Sequence, residues 1–486
     1  MSVTQCGSTI VGGAVLSQIN SCVGMSVILN YKATFTLWRQ RFRSLAPFAF
    51  EWIPFSFNST VRFGAFNLRA EVGDIADYLY QTFVVYSRPG LKAVKGAGGC
   101  RFPVAQECDQ ACSCEDNAFF KSLADPSART EAQAVKSGID NYLAQVYKSS
   151  NQFSKDVCDE DVNTRPLWAH WVNAAGQAFT KSIAVLLNQQ AIDIITSDYL
   201  YIWEEISGQP GKRLLEMIGK YYTRDELIYA SQEETEYYVP IPFFYTRAPG
   251  KAIATAAMLY THMYITLCIE NLERLIVVSR PDVKVFNTTT QAEITPSDVT
   301  ASLLIMCVFV DSQERDKLAL APFNTVIVQH QYGEYESNFQ NIQLDMSHPI
   351  LELNFVVRRK CQYDNNQLFN YSGLLGRDPI ISAEIRFNSS IRQQRLPAKF
   401  YRLVTNWTFH TDIPDAKIYS YPFSVFPEDS VPTGAANFSA FNTVTLALRL
   451  QEGLERIGSN VVLVYATSWN LLQHYEGTAT TAFSLT

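Results

Sequence analysis

The chain is short of what most enzymes and nucleic-acid binders display. Basic residues are outnumbered, with 40 Lys plus Arg against 47 Asp plus Glu for a formal charge of −7, so no global positive field exists to hold a polyphosphate by counterion release. Direct nucleic-acid binding by the main body is therefore not expected. Histidine is scarce at 6, and His170, His262, His330, His348, His410 and His474 never pair at helical spacing. HExxH, CxxCH, GxSxG and a glycine-rich phosphate loop are all missing. Glycine and proline, 23 and 20 in 486 residues, are too few for a collagen or linker composition, and a charged fraction of 18% is far from that of a disordered chain. Ten cysteines over this length form no disulfide scaffold, and Cys22, Cys268 and Cys307 sit singly in apolar runs as small hydrophobes.

No charge precedes Lys32, yet the N-terminus lacks the basic start of a secretory leader, and Gly12, Gly13, Gln18, Asn20 and Gly24 break its apolar residues. It reads as an uncharged arm. Ser2 excludes the N-myristoylation motif. The apolar stretch Ala252 to Ile269 reaches spanning length but carries Thr255, Thr261, His262 and Thr266, which argue against a membrane helix.

What the chain has in abundance is aromatic, β-forming text: 47% of residues are hydrophobic, and 30 Phe and 25 Tyr stand against 7 Met. Period-two alternation marks strands in Tyr31 to Ser44, Phe48 to Phe57, Val61 to Val72 and Tyr78 to Tyr86. Ser182 to Leu187 and Ala191 to Ile195, separated by Asn188-Gln189-Gln190, read as a buried hairpin. Ala301 to Val310, Thr325 to Gln331, Glu352 to Arg358, Glu384 to Phe387 and Val461 to Ser468 continue the series. Tyr237 to Thr246 and Tyr419 to Val425 echo each other as aromatic strands interrupted by proline, which confines a strand to an edge or a bulge. Helices are rare, with short candidates at Arg213 to Tyr221 and Asp225 to Ser231. Between Gly90 and Asn163 the pattern gives way to an insertion, and three-and-four spacing over Ser127 to Lys148 predicts an amphipathic helix inside it. The apolar-poor stretch Pro281 to Asp298 reads as a linker. Many short strands with few helices predict sandwiches or jelly rolls.

The one chemically suggestive cluster is Cys100, Cys108, Cys112 and Cys114, with Cys158 downstream. Zinc, disulfides and free thiols are all open for it, since the C-x7-C-x3-C-x-C spacing lacks the paired knuckles of a structural zinc site. No cofactor is expected. Asn58, Asn287, Asn370 and Asn388 head sequons and are the glycosylation candidates, whereas Asn406 and Asn437 lie in strand-like text and read as unmodified. The neighbouring carboxylates Glu204-Glu205 and Asp159-Glu160-Asp161 read as solvated faces, not as the facing pair that glycoside hydrolysis needs.

Blocks along nearly the whole chain resemble, in order, the double jelly-roll major capsid proteins of large nucleocytoplasmic double-stranded DNA viruses. Thr34 to Leu45 is similar to the first strand after the arm, and Phe63 to Tyr80, with Arg69 and Gly73-Asp74-Ile75, to the segment bearing an Arg and a Gly-Asp turn. Val172 to Trp203, with Gly176, Ile192-Asp193 and Trp203, resembles a further block, and Val239-Pro240-Ile241-Pro242-Phe243-Phe244 a Val-Pro-Leu-Pro-Phe-Trp motif. Phe309-Val310-Asp311 with Glu314-Arg315, His348-Pro349 with Glu352-Leu353, and Tyr465 to Asn470 follow. Ile418 to Asn442, IYSYPFSVFPEDSVPTGAANFSAFN, is the sharpest match. Departures are Pro422, Thr433, Trp469 and the insertion.

The resemblance implies an all-β protein of two tandem eight-stranded antiparallel jelly rolls, with a long, partly helical insertion in the first. The expected division is an arm at 1–30, a first jelly roll at 31–280 with the insertion at 90–163, a linker at 281–299 and a second jelly roll at 300–486. It further implies a non-enzymatic late protein that forms homotrimeric, pseudo-hexagonal capsomers tiling an icosahedral virion shell assembled in the host cytoplasm. Its partners are then itself, neighbouring capsomers, minor capsid and penton proteins, and the layer beneath the shell through the arm. A minor capsid or penton component, and a carbohydrate-binding or carbohydrate-cleaving β-sandwich, are the alternatives.

Overall fold

In the computed structural model of the protein, the aromatic alternation becomes strands. The structure describes residues 47–96, 101–105 and 166–483, apart from short breaks at 74, 210, 321, 337–340, 389, 452–453 and 455–459. The strand expected in Tyr31 to Ser44, the arm, and most of the insertion with its helix lie outside these residues.

The main strands fall into two sets. The first comprises β1 (Phe48–Phe55), β2 (Leu68–Glu71), β3 (Tyr78–Arg88), β4 (Thr180–Leu187), β5 (Gln190–Thr196), β6 (Thr235–Pro240), β7 (Met263–Ile269) and β8 (Thr300–Val310). The second comprises β9 (Phe323–Glu336), β10 (Asn341–Leu344), β11 (Pro349–Arg359), β12 (Ile380–Phe387), β13 (Ser390–Pro397), β14 (Tyr419–Pro422), β15 (Val444–Leu450) and β16 (Asn460–Tyr475). In the first set the sheets run β1-β8-β3-β6 and β2-β7-β4-β5, and in the second β9-β16-β11-β14 and β10-β15-β12-β13. Numbered within its own set, each sandwich is 1-8-3-6 against 2-7-4-5, with antiparallel pairing, which is the wiring of a jelly roll. The proline-interrupted echoes are the sixth strand of each set, and both are edges: Pro240 stands opposite Phe83 and Pro422 opposite Glu352 at the outermost pairing of their sheets.

The boundary between the jelly rolls lies later than expected. Thr300–Val310, taken as the start of the second, is the strand between β1 and β3 in the first, with Phe55 opposite Leu303 and Thr300 opposite Ser87. The stretch read as a linker belongs to the first body: Val283–Asn287 pairs with Leu91–Lys95, and Val283, Val285, Ile294 and Val299 are buried. Its polar tally concealed a strand, VKVFN, whose Val283 and Val285 point inward. The sheets therefore divide between β8 and β9, where helix α3 (Ser312–Leu320) stands. The insertion is shorter than expected for the same reason, since Leu91, Phe102 and Ala105 lie in the core.

Helix α1 (Ser197–Ser207), with Thr196 as N-cap accepting from the Tyr199 amide, was not foreseen. α2 (Arg224–Ser231) starts in a capping box of Thr223 and Glu226. The helix expected over Arg213 to Tyr221 contracts to Leu215–Ile218. It stops at Gly219, whose φ is 71° and whose Cβ position is 2.7 Å from the Tyr237 ring, so no other residue fits there without a shift. Ala252 to Ile269 is a short strand pairing, a 3-10 turn and β7, and none of the described helices is long and apolar enough to cross a membrane.

Aromatic side chains fill both cores. In the first, the Phe179 ring packs edge-on to Phe63, Tyr86 and Trp171 at centroid distances of 5.2, 5.5 and 5.2 Å. Buried Arg88 closes this core by donating to the Tyr237 hydroxyl at 2.9 Å and to the carbonyl oxygens of Ala230 and Glu233 at 2.9 and 2.6 Å. In the second, Phe355 packs with Tyr419 and Tyr401 at 5.6 and 5.9 Å.

Candidate functional site: the junction between the sandwiches

Strands β16 and β11 carry buried apolar residues on both faces. Leu353, Phe355, Val357, Val462 and Val464 enter the second core, while Val356, Leu463 and Tyr465 turn outward into the core of the first sandwich. A sheet written that way has to be covered twice. The first sandwich covers its outer face with the β5 edge, α1 and the connection from β6 to β7.

Polar contacts fix how that cover sits. Buried Asp193, on β5, accepts from the His330 main-chain amide at 2.9 Å and meets His330 Nδ1 at 2.9 Å. Arg247 Nη2 lies 3.1 Å from His330 Nε2. A guanidinium only donates, so Nε2 carries the lone pair and the ring proton sits on Nδ1, donated to Asp193. Arg247 itself lies over the Trp203 ring of α1, 4.3 Å from its centroid, and the Tyr199 ring stands 4.4 Å from that of His330. Beside this, Gln329 Nε2 donates to the Ile192 carbonyl at 2.6 Å, and the Thr196 hydroxyl to Tyr465 at 3.2 Å. At the far side Arg358 donates to Asp198 at 3.2 Å and Tyr371 donates to the same carboxyl at 2.8 Å. Burial pushes the Asp198 pKa up, against the pull of Arg358. Buried ion pairs of this kind add little net stability compared with apolar packing, but removing one partner is costly, so their physical effect is to select one arrangement of the two faces.

A second buried group ties the connection after β14 to β11. The His410 side chain has 0% exposure, with Nε2 3.3 Å from Glu352 and Nδ1 3.2 Å from Glu428. Burial disfavours its cation, but the two carboxylates outweigh that and raise its pKa to about 9, while Glu352 is held below the usual carboxylate range by the same contact despite its burial. His170 and His474 go the other way, lowered to about 4 by burial.

Sequence inspection treated every histidine as a bland imidazole and missed both clusters. The available signal was Asp193 inside the apolar run AIDII, where a carboxylate needs a partner. A bulge adds to this: the pairing of β4 with β5 skips from Asp193 to Ala191, so Ile192 and Asp193 are buried in succession, which strict alternation does not allow.

Of the other candidates, Cys100, Cys108, Cys112, Cys114 and Cys158 lie outside the described residues. Asn58 and Asn388 are exposed. The Asn388 side-chain oxygen accepts from the main-chain amides of Asn442 and Thr443, and the Asn370 side-chain nitrogen donates to the Gln367 side chain at 2.8 Å. Asn287 is ill placed for a glycan: it is buried, its oxygen accepts from the Thr289 and Thr290 amides, and its nitrogen donates to Asp298. Glu204 and Glu205 are not a solvated face. Both grip Lys220 at 2.5 Å with side chains 9% and 7% exposed.

Comparison with known proteins places these observations. A family model described as the large eukaryotic DNA virus major capsid protein matches residues 314–480, and one described as the major capsid protein N-terminus matches residues 148–311. The two meet where the sheets divide. The major capsid protein of Phaeocystis pouchetii virus is 24% identical, the match covering 70% of this chain and 87% of that protein. The quasi-atomic model of the PBCV-1 virus capsid superposes with a TM-score of 0.63 at 16% identity, covering 92% of this chain and 100% of the other. The Faustovirus major capsid protein does so with a TM-score of 0.65 at 10% identity, covering 95% and 96%. At such identities the structural likeness shows the double jelly-roll fold.

Proposed function

Because this chain belongs to the major capsid protein family of large eukaryotic DNA viruses, we propose that three copies close into a pseudo-hexagonal capsomer and that such capsomers tile an icosahedral shell. The observation that supports this is the repeated wiring: two sandwiches of one strand order, held side by side by a buried junction, let a ring of three chains present six similar units. A negative net charge suits a wall that has to stay off its own genome. The same proposal includes minor capsid and penton proteins as partners, contact of the arm with the layer beneath, and assembly in the host cytoplasm.

Native mass spectrometry and electron microscopy of the purified chain test it. A trimer with a hexagonal outline is expected, and a stable monomer at every concentration overturns it.

A further inference from the structure

Within one chain, the first sandwich covers the outer face of the β9-β16-β11 sheet of the second. It does so with three elements: the edge strand β5, the helix that follows it, and the connection between its sixth and seventh strands, which brings Arg247 onto His330 and the Lys251 ammonium onto the Val326 carbonyl at 3.1 Å. The matched wiring says which elements of the second sandwich are their counterparts: β13, the helical segment that follows it up to α4 (Thr405–Phe409), and the connection over 423–443. In the first sandwich the counterpart of the covered face is the outer face of β1-β8-β3.

Among the described residues neither counterpart is covered: the face on the first sandwich is apolar, and the elements of the second carry exposed apolar side chains beside the charged Arg392 and Arg395 of β13. On the first sandwich, Trp52 stands opposite Met306 and packs on Phe83 at 5.6 Å, with Phe50 opposite Val308 beside them. Phe50 is 59% exposed and Trp52 39%. On the second, Ile391 lies on β13, Val404 and Trp407 on the helical segment, and Val425 and Phe426 on the connection. All five are at least half exposed, with Trp407 at 75%.

We infer that these two surfaces are the contact between neighbouring copies of the chain. The β13 edge, the Val404 to Trp407 segment and the 423–443 connection of one copy cover the β1-β8-β3 face of the next, repeating between chains the arrangement that β5, α1 and the β6–β7 connection make within one. The occupant is a second copy because the covering elements and the covered face recur in the same wiring as the junction already formed. Two different patches joined head to tail generate a ring, and alternating them with the internal junction closes it with six sandwiches. This assignment rests on the capsomer proposed above and names its contacts.

The test uses the purified full chain. Trp407→Asp and Phe50→Asp each place a carboxylate in the middle of the contact, with Tyr229→Asp and Tyr475→Asp as controls on exposed aromatics outside it. Native mass spectrometry is expected to show the trimer dissociation constant raised about 100-fold or more in the first pair and unchanged in the controls. Melting temperatures of the dissociated forms should stay within about 2 °C of one another, because these side chains are exposed in the single chain. A photo-crosslinker at position 407 should capture peptides from β1, β3 or β8 of another copy. Trimers of undiminished affinity in both Trp407→Asp and Phe50→Asp, or crosslinks confined to other strands, overturn the assignment and leave the trimer intact as an idea. A wild-type chain that never trimerises overturns the underlying capsomer instead.

Discussion

The two sandwiches differ least in their wiring and most in what they do with the outer face of the sheet carrying their first, eighth and third strands. In the second sandwich that face holds Glu352, Asn354, Arg358 and Thr467 among its apolar residues, all buried or nearly so against the first sandwich. In the first sandwich the equivalent face is Phe50, Trp52, Met306 and Phe83, without charge and half open. A face closed once, during folding, accommodates buried charged groups whose partners are always present, as Arg358 has Asp198 and Glu352 has His410, and these fix one orientation. A face that meets a separate molecule has to remain bearable while exposed, and aromatic packing serves without leaving charges unpaired. The long connections differ too: 89–179 and 197–234 in the first sandwich stand against 360–379 and 398–418 in the second. The extra chain of 197–234 supplies α1 and α2, of which α1 helps to cover the neighbouring sandwich.

The comparison can be broken at the second core. Phe355 is fully buried and touches no residue of the first sandwich's aromatic cluster, so Phe355→Ala is expected to cost about 3 to 5 kcal/mol, read by chemical denaturation, with hydrogen exchange rising in β9 to β16 ahead of β1 to β8. Equal loosening of both halves would show that the cores do not act separately. At the junction, Asp193→Ala leaves the His330 amide and ring proton without their acceptor beside Arg247, and about 3 kcal/mol should be lost. The sharper sign is lost exchange protection in β5 and the first half of β9 with the separate cores kept.

The His410 clasp gives a pH signature on the second sandwich alone. Its folded pKa of about 9 lies above the unfolded value near 6.5, so its stabilisation is complete below about 6.5 and disappears as the pH rises through about 9. An alkaline loss on the order of 2 kcal/mol is expected, absent in His410→Gln, with differential scanning calorimetry from neutral pH to about 10 as the readout. The smallest effect belongs to the boundary. Arg315 of α3 forks onto Asp77 at 2.6 and 3.0 Å, and this holds the Asp77 carboxyl below its ordinary range. Arg315 is half exposed, so Arg315→Met should lower the melting temperature only slightly at neutral pH and converge with wild type as acid protonates Asp77.

Much of this was legible in the sequence. Period-two text located most of the strands, and proline inside aromatic strands foretold two sheet edges, because a missing donor is a local property. The apolar positions of Phe355, Val464 and Tyr86 marked the cores in the same way. Asp193 and His410 could not be read so, since a carboxylate's partner lies 137 residues away in one case, at His330, and 58 away in the other, between Glu352 and His410. The boundary was misplaced for a related reason: Thr300–Val310 has the composition of any buried strand, and nothing in it says which sheet it joins.

By itself, then, the sequence determined an aromatic-rich β class, the edges of its sheets and the ordered blocks that tie it to a capsid family, all of which reside in neighbouring residues. Only the tertiary structure decided that β8 closes the first sandwich, that a bulge at Ile192 delivers Asp193 to His330, and that the two outer sheet faces carry opposite chemistry. Those are pairings between distant segments, set by which surfaces bury each other, and a local pattern is the same whichever partner it finds.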